Sequence, residues 1–487
     1  MAANDTFTVA IELGSSKVSV VAGRKEPDGG INILAYLQEP SNNFIRKGRI
    51  NNVDKMTQFI KSMKERLEKQ LKMTVGQVYV GIGGMGMHTV ANKVERDFAE
   101  SVKITEETIE SLKRENLQAR ALNSDILEVI PQEYKVDTQT KADPIGMIAS
   151  HITGNYLNVT AASSARAQIL ECFREEKIGI AGTPISILSL AMDLTHEPER
   201  RAGCVVVDMG AETTSVAVYN NNFLRHLAVL PLGGANITRD LATVFNLSEE
   251  EAETLKCKYI AAAMDPTDVE NHSDIVFADK RTVRFSEFFS VAQARLEEII
   301  TNVENQAKEG CTKSLVGGFI LTGGMSQMKG IESAFKEFAK DSKVIVRQNL
   351  PIQVRAKGEF NSNATFNAVI SMLDKNTANC CYGPLDQQGQ LFSGIEDAGE
   401  GRSSTTKTAE EVTSTTTVFP GNATGQPAMP PITSTTAPAG HDTPTATPQE
   451  PTPAEPENPK KSSKFSVGFL KRGWNKIAEM LSEDPEE

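Results

Sequence analysis

The sequence predicts an α/β protein of two or more domains. Three observations carry that expectation. Two β-hairpins each end their first strand on a carboxylate and turn on a glycine. A further buried strand runs into a glycine pair and then a helix. Amphipathic helices separate these segments. At 487 residues the chain is also too long for one ordinary hydrophobic core.

The first hairpin spans 6–21, with Glu12 near the tip of its first strand, a turn at Gly14, Ser15 and Ser16, and Lys17 closing it. A carboxylate, small hydroxyls, a glycine and a lysine within six positions suit a metal-bound polyphosphate: the carboxylate orients metal water and the lysine meets phosphate charge. The second hairpin is centred on 205–214. Val205, Val206 and Val207 read as a buried strand, Asp208 falls where it stops, and Gly210, Ala211, Glu212 and Thr213 form the turn. Further strands are expected at 215–219 and 223–230. Gly233 and Gly234 then open a helix over 235–245, where free backbone N–H groups make an anion site. A third glycine turn, Thr322, Gly323, Gly324, Met325, follows a buried run and precedes a helix at 331–338. Glycines there let a flat ligand approach the backbone.

The remaining elements follow from periodicity and capping. Residues 52–72 carry Val53, Met56, Phe59, Ile60, Met63 and Leu67 at helical spacing, and a strand follows at 77–82. Segment 83–163 reads as a separate unit, with a helix over 104–122 that starts at Thr105 and strands at 125–136 and 146–162. His88 and His151 fall there without a nucleophile–base pair. Helices are expected at 165–177, from 182 to 194, at 248–263 with Ser248 as cap, at 285–308 and at 363–373.

Composition narrows the function class. A formal net charge of −12 argues against a general nucleic-acid binder. Six scattered cysteines without a CxxC read as reduced thiols, small buried hydrophobes in a cytosolic protein. Residues 1–6 lack the basic region of a signal peptide, and no run approaches the roughly 18 apolar residues of a spanning helix.

The order and spacing of the three glycine turns resemble the two phosphate motifs and the adenosine motif of the actin-like ATPase superfamily. Within it, the chain is similar to the FtsA family of bacterial cell-division proteins. Val129, Ile130, Pro131, Gln132, Glu133 and Tyr134 and the run Leu321 to Gly324 carry that resemblance, as does the position of the extra unit. It implies an actin-like two-lobed ATPase fold with an inserted 1C subdomain (SHS2 type): lobe 1 at 1–83 and 165–200, 1C at 84–164, lobe 2 at 201–233 and 311–358, subdomain 2B at 234–310, and a return to lobe 1 at 359–385. It also implies ATP and Mg²⁺ as ligands. Glu12 and Asp208 would orient water around Mg²⁺; Gly14, Ser15 and Lys17 would line one side of the phosphates, and Gly210 and Thr213 the other. Gly323, Gly324 and Met325 would back the adenosine. Glu253 and Lys256, one helical turn apart, match a pattern used near ribose and adenine. The implied partners are the C-terminal peptide of FtsZ, through 2B, other divisome proteins through 1C, and further copies of the chain in dimers or filaments. Ala211 and Glu212 stand where superfamily members often have glycines, and 183–200 shows no clear candidate to position the attacking water, so ATP binding with weak or absent hydrolysis is expected.

The tail reads differently. Residues 386–462 are rich in Thr, Pro, Ala and Ser, a composition that predicts a disordered linker. Residues 463–487 then read as a basic amphipathic helix with an acidic end. At about 100° per residue, Val467, Phe469, Leu470, Trp474, Ile477 and Leu481 share one half of the wheel, and Lys471, Arg472 and Lys476 lie on the other. Such a helix suits anionic membrane lipid; docking on the body or in a partner's groove is the alternative. Taken with this helix, the resemblance implies an adaptor on the cytoplasmic side of the bacterial inner membrane, at the septum, anchoring the FtsZ ring. The alternatives are a PilM-like pilus-assembly protein and a kinase of the actin-like superfamily.

Overall fold

Two sheets built on one plan organise the computed structural model, which describes residues 6–119, 123–311, 315–338, 343–356, 360 and 362–384. The predicted linker and the amphipathic segment lie outside the described residues.

The first lobe opens with an antiparallel meander, β1 (Thr8–Leu13), β2 (Lys17–Lys25) and β3 (Ile31–Pro40). The hairpin β4 (Ile45–Arg46) and β5 (Arg49–Ile50), helix α1 (Val53–Leu71), β6 (Met73–Val75) and β7 (Gln77–Gly81) follow. β7 returns parallel to β1 on the side away from β2. Helix α1 forms where expected because Asn52 accepts the Lys55 amide at one end and Lys72 adopts a left-handed conformation at the other. Its Met56, Phe59, Ile60, Met63 and Leu67 enter the core.

The insert contains β8 (His88–Lys103), α2 (Glu106–Asn116), β9 (Ser124–Val136), β10 (Gln139–Lys141) and β11 (Ile148–Ala162), with its own small core around Leu112, Ile152 and Tyr156. The chain then re-enters the first lobe through α3 (Ser163–Glu175), β12 (Gly179–Gly182), α4 (Ser186–Leu194) and α5 (Glu197–Ala202).

The second lobe repeats the plan: a meander of β13 (Cys204–Met209), β14 (Thr214–Asn220) and β15 (Phe223–Leu230). Helices α6 (Gly234–Phe245), α7 (Glu249–Tyr259) and α8 (Pro266–Asn271), the pair β16 (Ile275–Val276) and β17 (Thr282–Val283), and α9 (Phe285–Gly310) intervene. β18 (Gly318–Thr322) then runs parallel to β13, and after α10 (Ile331–Phe338), β19 (Val344–Val346) runs parallel to β18. Finally β20 (Val354–Ala356), α11 (Asn367–Lys375) and β21 (Cys381–Pro384) return to the first lobe. β13 is a continuous apolar run because both of its faces are covered: Cys204 and Val206 pack toward the first lobe, Val205, Val207 and Met209 toward α6 and α9.

Several elements depart from the sequence expectation. α2 ends at Asn116, whose buried side chain donates to Asn158 and accepts from Asn92, rather than continuing to 122. α7 stops at Tyr259 because the following chain leaves to bond elsewhere, the Ala262 amide reaching the Lys329 carbonyl. Gly182 belongs to β12, and α4 begins only at Ser186. Asn363 precedes α11 in a turn, its side chain accepting from the amide and hydroxyl of Thr365.

Candidate functional site

The repeated plan puts the two acidic residues in equivalent places. Glu12 is the fifth residue of the six in β1, and Asp208 the fifth of six in β13. Each stands opposite a serine of the next strand, Glu12 against Ser19 and Asp208 against Ser215. On the other side Glu12 neighbours Gly81 and Asp208 neighbours Thr322. The two carboxylates therefore look into one cleft of about 1150 Å³ between the lobes.

Nearly every residue singled out from sequence lines that cleft: Glu12, Gly14, Ser15 and Lys17 from the first lobe, Asp208, Gly210, Thr213, Gly234, Glu253, Lys256, Gly323, Gly324 and Met325 from the second. Gly233 stands behind the lining. The anion site expected at the start of α6 is not free. The Gly234 amide donates to the Gly210 carbonyl at 3.1 Å, the Ala235 amide to Ala211 at 2.7 Å, and the Gly233 amide to the Asn236 side chain. These first N–H groups brace the Asp208 turn from behind. Gly233 must be glycine there, since a Cβ would press on the Gly210 and Ala211 carbonyls.

Electrostatics concentrate on the pair of acids. Removal from water pushes the Glu12 carboxyl up to about 7; the Ser186 hydroxyl, donating to it at 2.6 Å, works against that, and the nearby Asp208 charge adds to it. Loss of solvation alone pushes Asp208 up to about 6. Room for both side chains comes from glycines. A Cβ on Gly81 would stand 2.5 Å from both the Glu12 carboxylate and the Ser186 hydroxyl, and one on Gly323 would collide with Asp208. Lys17 reaches toward Gln38, which donates to Ser19.

At the other end, Lys256 is buried and donates to the Gly234 carbonyl at 3.1 Å, the Thr238 hydroxyl at 2.9 Å and Glu253 at 2.6 Å. Partial burial raises the Glu253 carboxyl, but the Lys256 ammonium and the Thr238 hydroxyl outweigh it and hold the group below the usual range. This end of the cleft thus offers an ionised, pre-oriented carboxylate beside glycine backbone.

Sequence reasoning missed Ser186, Ser19, Ser215 and Thr365, all of which line the cleft. A hydroxyl two positions after Pro184 reads as an ordinary helix start, so Ser186 gave no separate signal. Ser19 and Ser215 were detectable only by aligning the two hairpins on their acids.

The family description "Cell division protein FtsA" matches residues 205–370, and "SHS2 domain inserted in FTSA" matches 84–160. A cell division protein FtsA of Porphyromonas gingivalis is 30% identical over 418 residues, covering 82% of this chain and 84% of the relative. The chain belongs to the FtsA family. An FtsA of Neisseria meningitidis is 29% identical over 380 residues, covering 75% of this chain and 89% of the relative. Among solved structures, a PilM–PilN type IV pilus biogenesis complex superposes with a TM-score of 0.54 at 16% identity, covering 76% of this chain and 98% of the other. That likeness shows the actin-like fold alone. As an FtsA family member with the SHS2 insert, the chain has a role in bacterial cell division.

Proposed function

We propose that the chain binds ATP with Mg²⁺ in the interlobe cleft and works as an adaptor, self-associating and anchoring the FtsZ ring to the cytoplasmic membrane. The convergence of Glu12, Asp208 and three glycine turns on one cavity supports this reading. The donor set fits the cation: two poorly solvated carboxylates face one space, and Lys17 lies on the same wall. Glu12 and Asp208 would hold Mg²⁺ through water, with Ser186 orienting Glu12. The ion would supply charge neutralisation at the phosphates. Gly14, Ser15 and Lys17 would contact the phosphates from the first lobe, and Gly210 and Thr213 from the second. Glu253, Lys256, Gly323, Gly324 and Met325 would take the adenosine. No Gln or acid faces the cleft from α4, where Ser186 and Ile187 line it. The ligand is therefore read as conformational, with slow or absent hydrolysis. Subdomain 2B, around α6 to α9, would receive the FtsZ C-terminal peptide, the SHS2-type insert other divisome proteins, and residues 463–487 anionic lipid.

Calorimetric titration of MgATP tests the site. Asp208→Ala should weaken binding at least tenfold, and equal affinity would remove the β13 hairpin from the reading.

A further inference from the structure

Glu212 is an acid in the turn that faces the phosphates, where its charge would oppose them. It is only 5% exposed, and its oxygens are engaged. One accepts the Lys47 backbone amide at 2.7 Å, the other the Arg46 guanidinium at 3.0 Å, with Arg239 at 3.6 Å. Arg46 and Lys47 belong to the first lobe and Glu212 to the second, so this contact crosses between the lobes.

The turn that makes it is specialised. Lys47 and Gly48 link β4 to β5 and both have positive φ, 48° and 70°. That backbone forms a tight hairpin turn with its amides directed outward. The Lys47 amide goes to Glu212, and the next amide, of Gly48, goes to the Ser15 hydroxyl at 2.8 Å. Two consecutive amides of one turn therefore hold one residue from each glycine turn flanking the acids. The turn is itself seated: the Lys47 carbonyl accepts the Met85 amide, and a Cβ on Gly48 would stand 2.5 Å from the Gly84 Cα. Ser15 accepts from Gly48, which leaves its proton to donate into the cleft. On the first-lobe side Ser41 adds a second strap, its hydroxyl donating to the Gly14 carbonyl at 2.6 Å.

We propose that Glu212 is a positioning residue that, through the Lys47–Gly48 turn, fixes the spacing between the two phosphate loops and so sets affinity for the triphosphate over the nucleoside end. The proposal rests on the nucleotide reading above. A triphosphate spans both loops, whereas the residues assigned to adenosine all come from the second lobe. Loosening the strut should weaken the first kind of contact and spare the second. A purely electrostatic role for Glu212 predicts the opposite sign, because removing an acid near phosphates should tighten binding.

The experiment titrates MgATP and, separately, AMP into the full chain and its variants by calorimetry. Glu212→Ala should lose at least tenfold in MgATP affinity while AMP affinity stays within twofold. Glu212→Gln, whose amide oxygen still accepts from Lys47, and Arg46→Ala, which keeps the backbone contact, should fall between. These two carry the test if Glu212→Ala does not fold. MgATP affinity unchanged or raised in the variants overturns the proposal, as does an equal loss for AMP, and either leaves the nucleotide reading standing. An unmodified chain that binds neither ligand overturns both.

Discussion

A carboxyl pushed up toward neutrality makes pH a direct probe of the cleft. In the unfolded chain Glu12 and Asp208 ionise in the ordinary carboxylate range, and in the fold they do so near 7 and 6. Between those limits the folded state without ligand binds more protons than the unfolded one, so its stability falls as pH rises through the window. A cation held by the same carboxylates acts in the other direction, since it requires them ionised. Acidification from pH 7.5 to 5.5 should therefore weaken MgATP binding several-fold beyond any change in the nucleotide's own protonation. Asp208→Asn should have weak affinity and a flatter profile, and a variant with the unmodified pH slope would separate Asp208 from the cation. Both acids were readable from sequence because each ends a buried strand before a glycine turn. What raises their pKa values was not readable. It depends on burial by cleft walls drawn from segments far apart in the chain, which at Glu12 outweighs the opposing hydrogen bond from Ser186.

At the scale of elements, legibility followed hydrophobic contrast. β13 and β18 stand out because Val205 to Val207 and Phe319 to Leu321 are fully or almost fully buried. β8 was not anticipated although it has sixteen residues, since only Val94 along it is buried and charged residues fall on both faces. Its stability comes from pairing with β11 along nearly its whole length. β4, β5, β12 and β20 are too short for a periodic signal, yet β4 and β5 carry the turn that contacts both glycine loops. Long-range pairing also joins the insert to the second lobe. β8 meets β15 at His88 and Ala228, making a nine-stranded sheet. Beside that seam Arg225 of β15 forks onto Glu133 of β9 at 2.6 and 2.9 Å and reaches Gln132 at 3.0 Å. The guanidinium lowers the Glu133 carboxyl, with partial burial opposing it. The pair is partly exposed, so screening limits its worth to about 1 kcal/mol. Arg225→Ala should lower stability by that order in urea unfolding and speed amide exchange along β9 and β15 while leaving β1 and β2 unchanged. Uniform exchange across both sheets would mean that the ion pair does not fasten the insert.

Across the whole molecule, the duplicated plan was legible because the two acidic hairpins repeat within one chain, and its symmetry appears as matched registers, Glu12 with Ser19 and Asp208 with Ser215. Among the described residues no helix is long and apolar enough to cross a bilayer. The proposed lipid contact falls in 463–487, whose sequence, if set at helical spacing, would put Phe469, Leu470, Trp474, Ile477 and Leu481 on one face and Lys471, Arg472 and Lys476 on the other. Lys460 and Lys461 precede that segment, Lys464 lies at its start, and no acid falls between Lys460 and Lys476. Each basic residue near an anionic surface contributes about 1 kcal/mol and loses it within a Debye length, while the apolar face contributes by burial in the headgroup boundary. The full chain should thus sediment with phosphatidylglycerol vesicles, less so at high salt, and bring purified FtsZ down with it. Deleting 465–487 should abolish both. Trp474→Ala should weaken vesicle binding without changing MgATP affinity, since that residue belongs to no part of the cleft. If the deleted chain still carries FtsZ to the vesicles, the anchor lies elsewhere in the molecule. If the full chain binds vesicles but leaves FtsZ in solution, the lipid contact stands and the adaptor role falls.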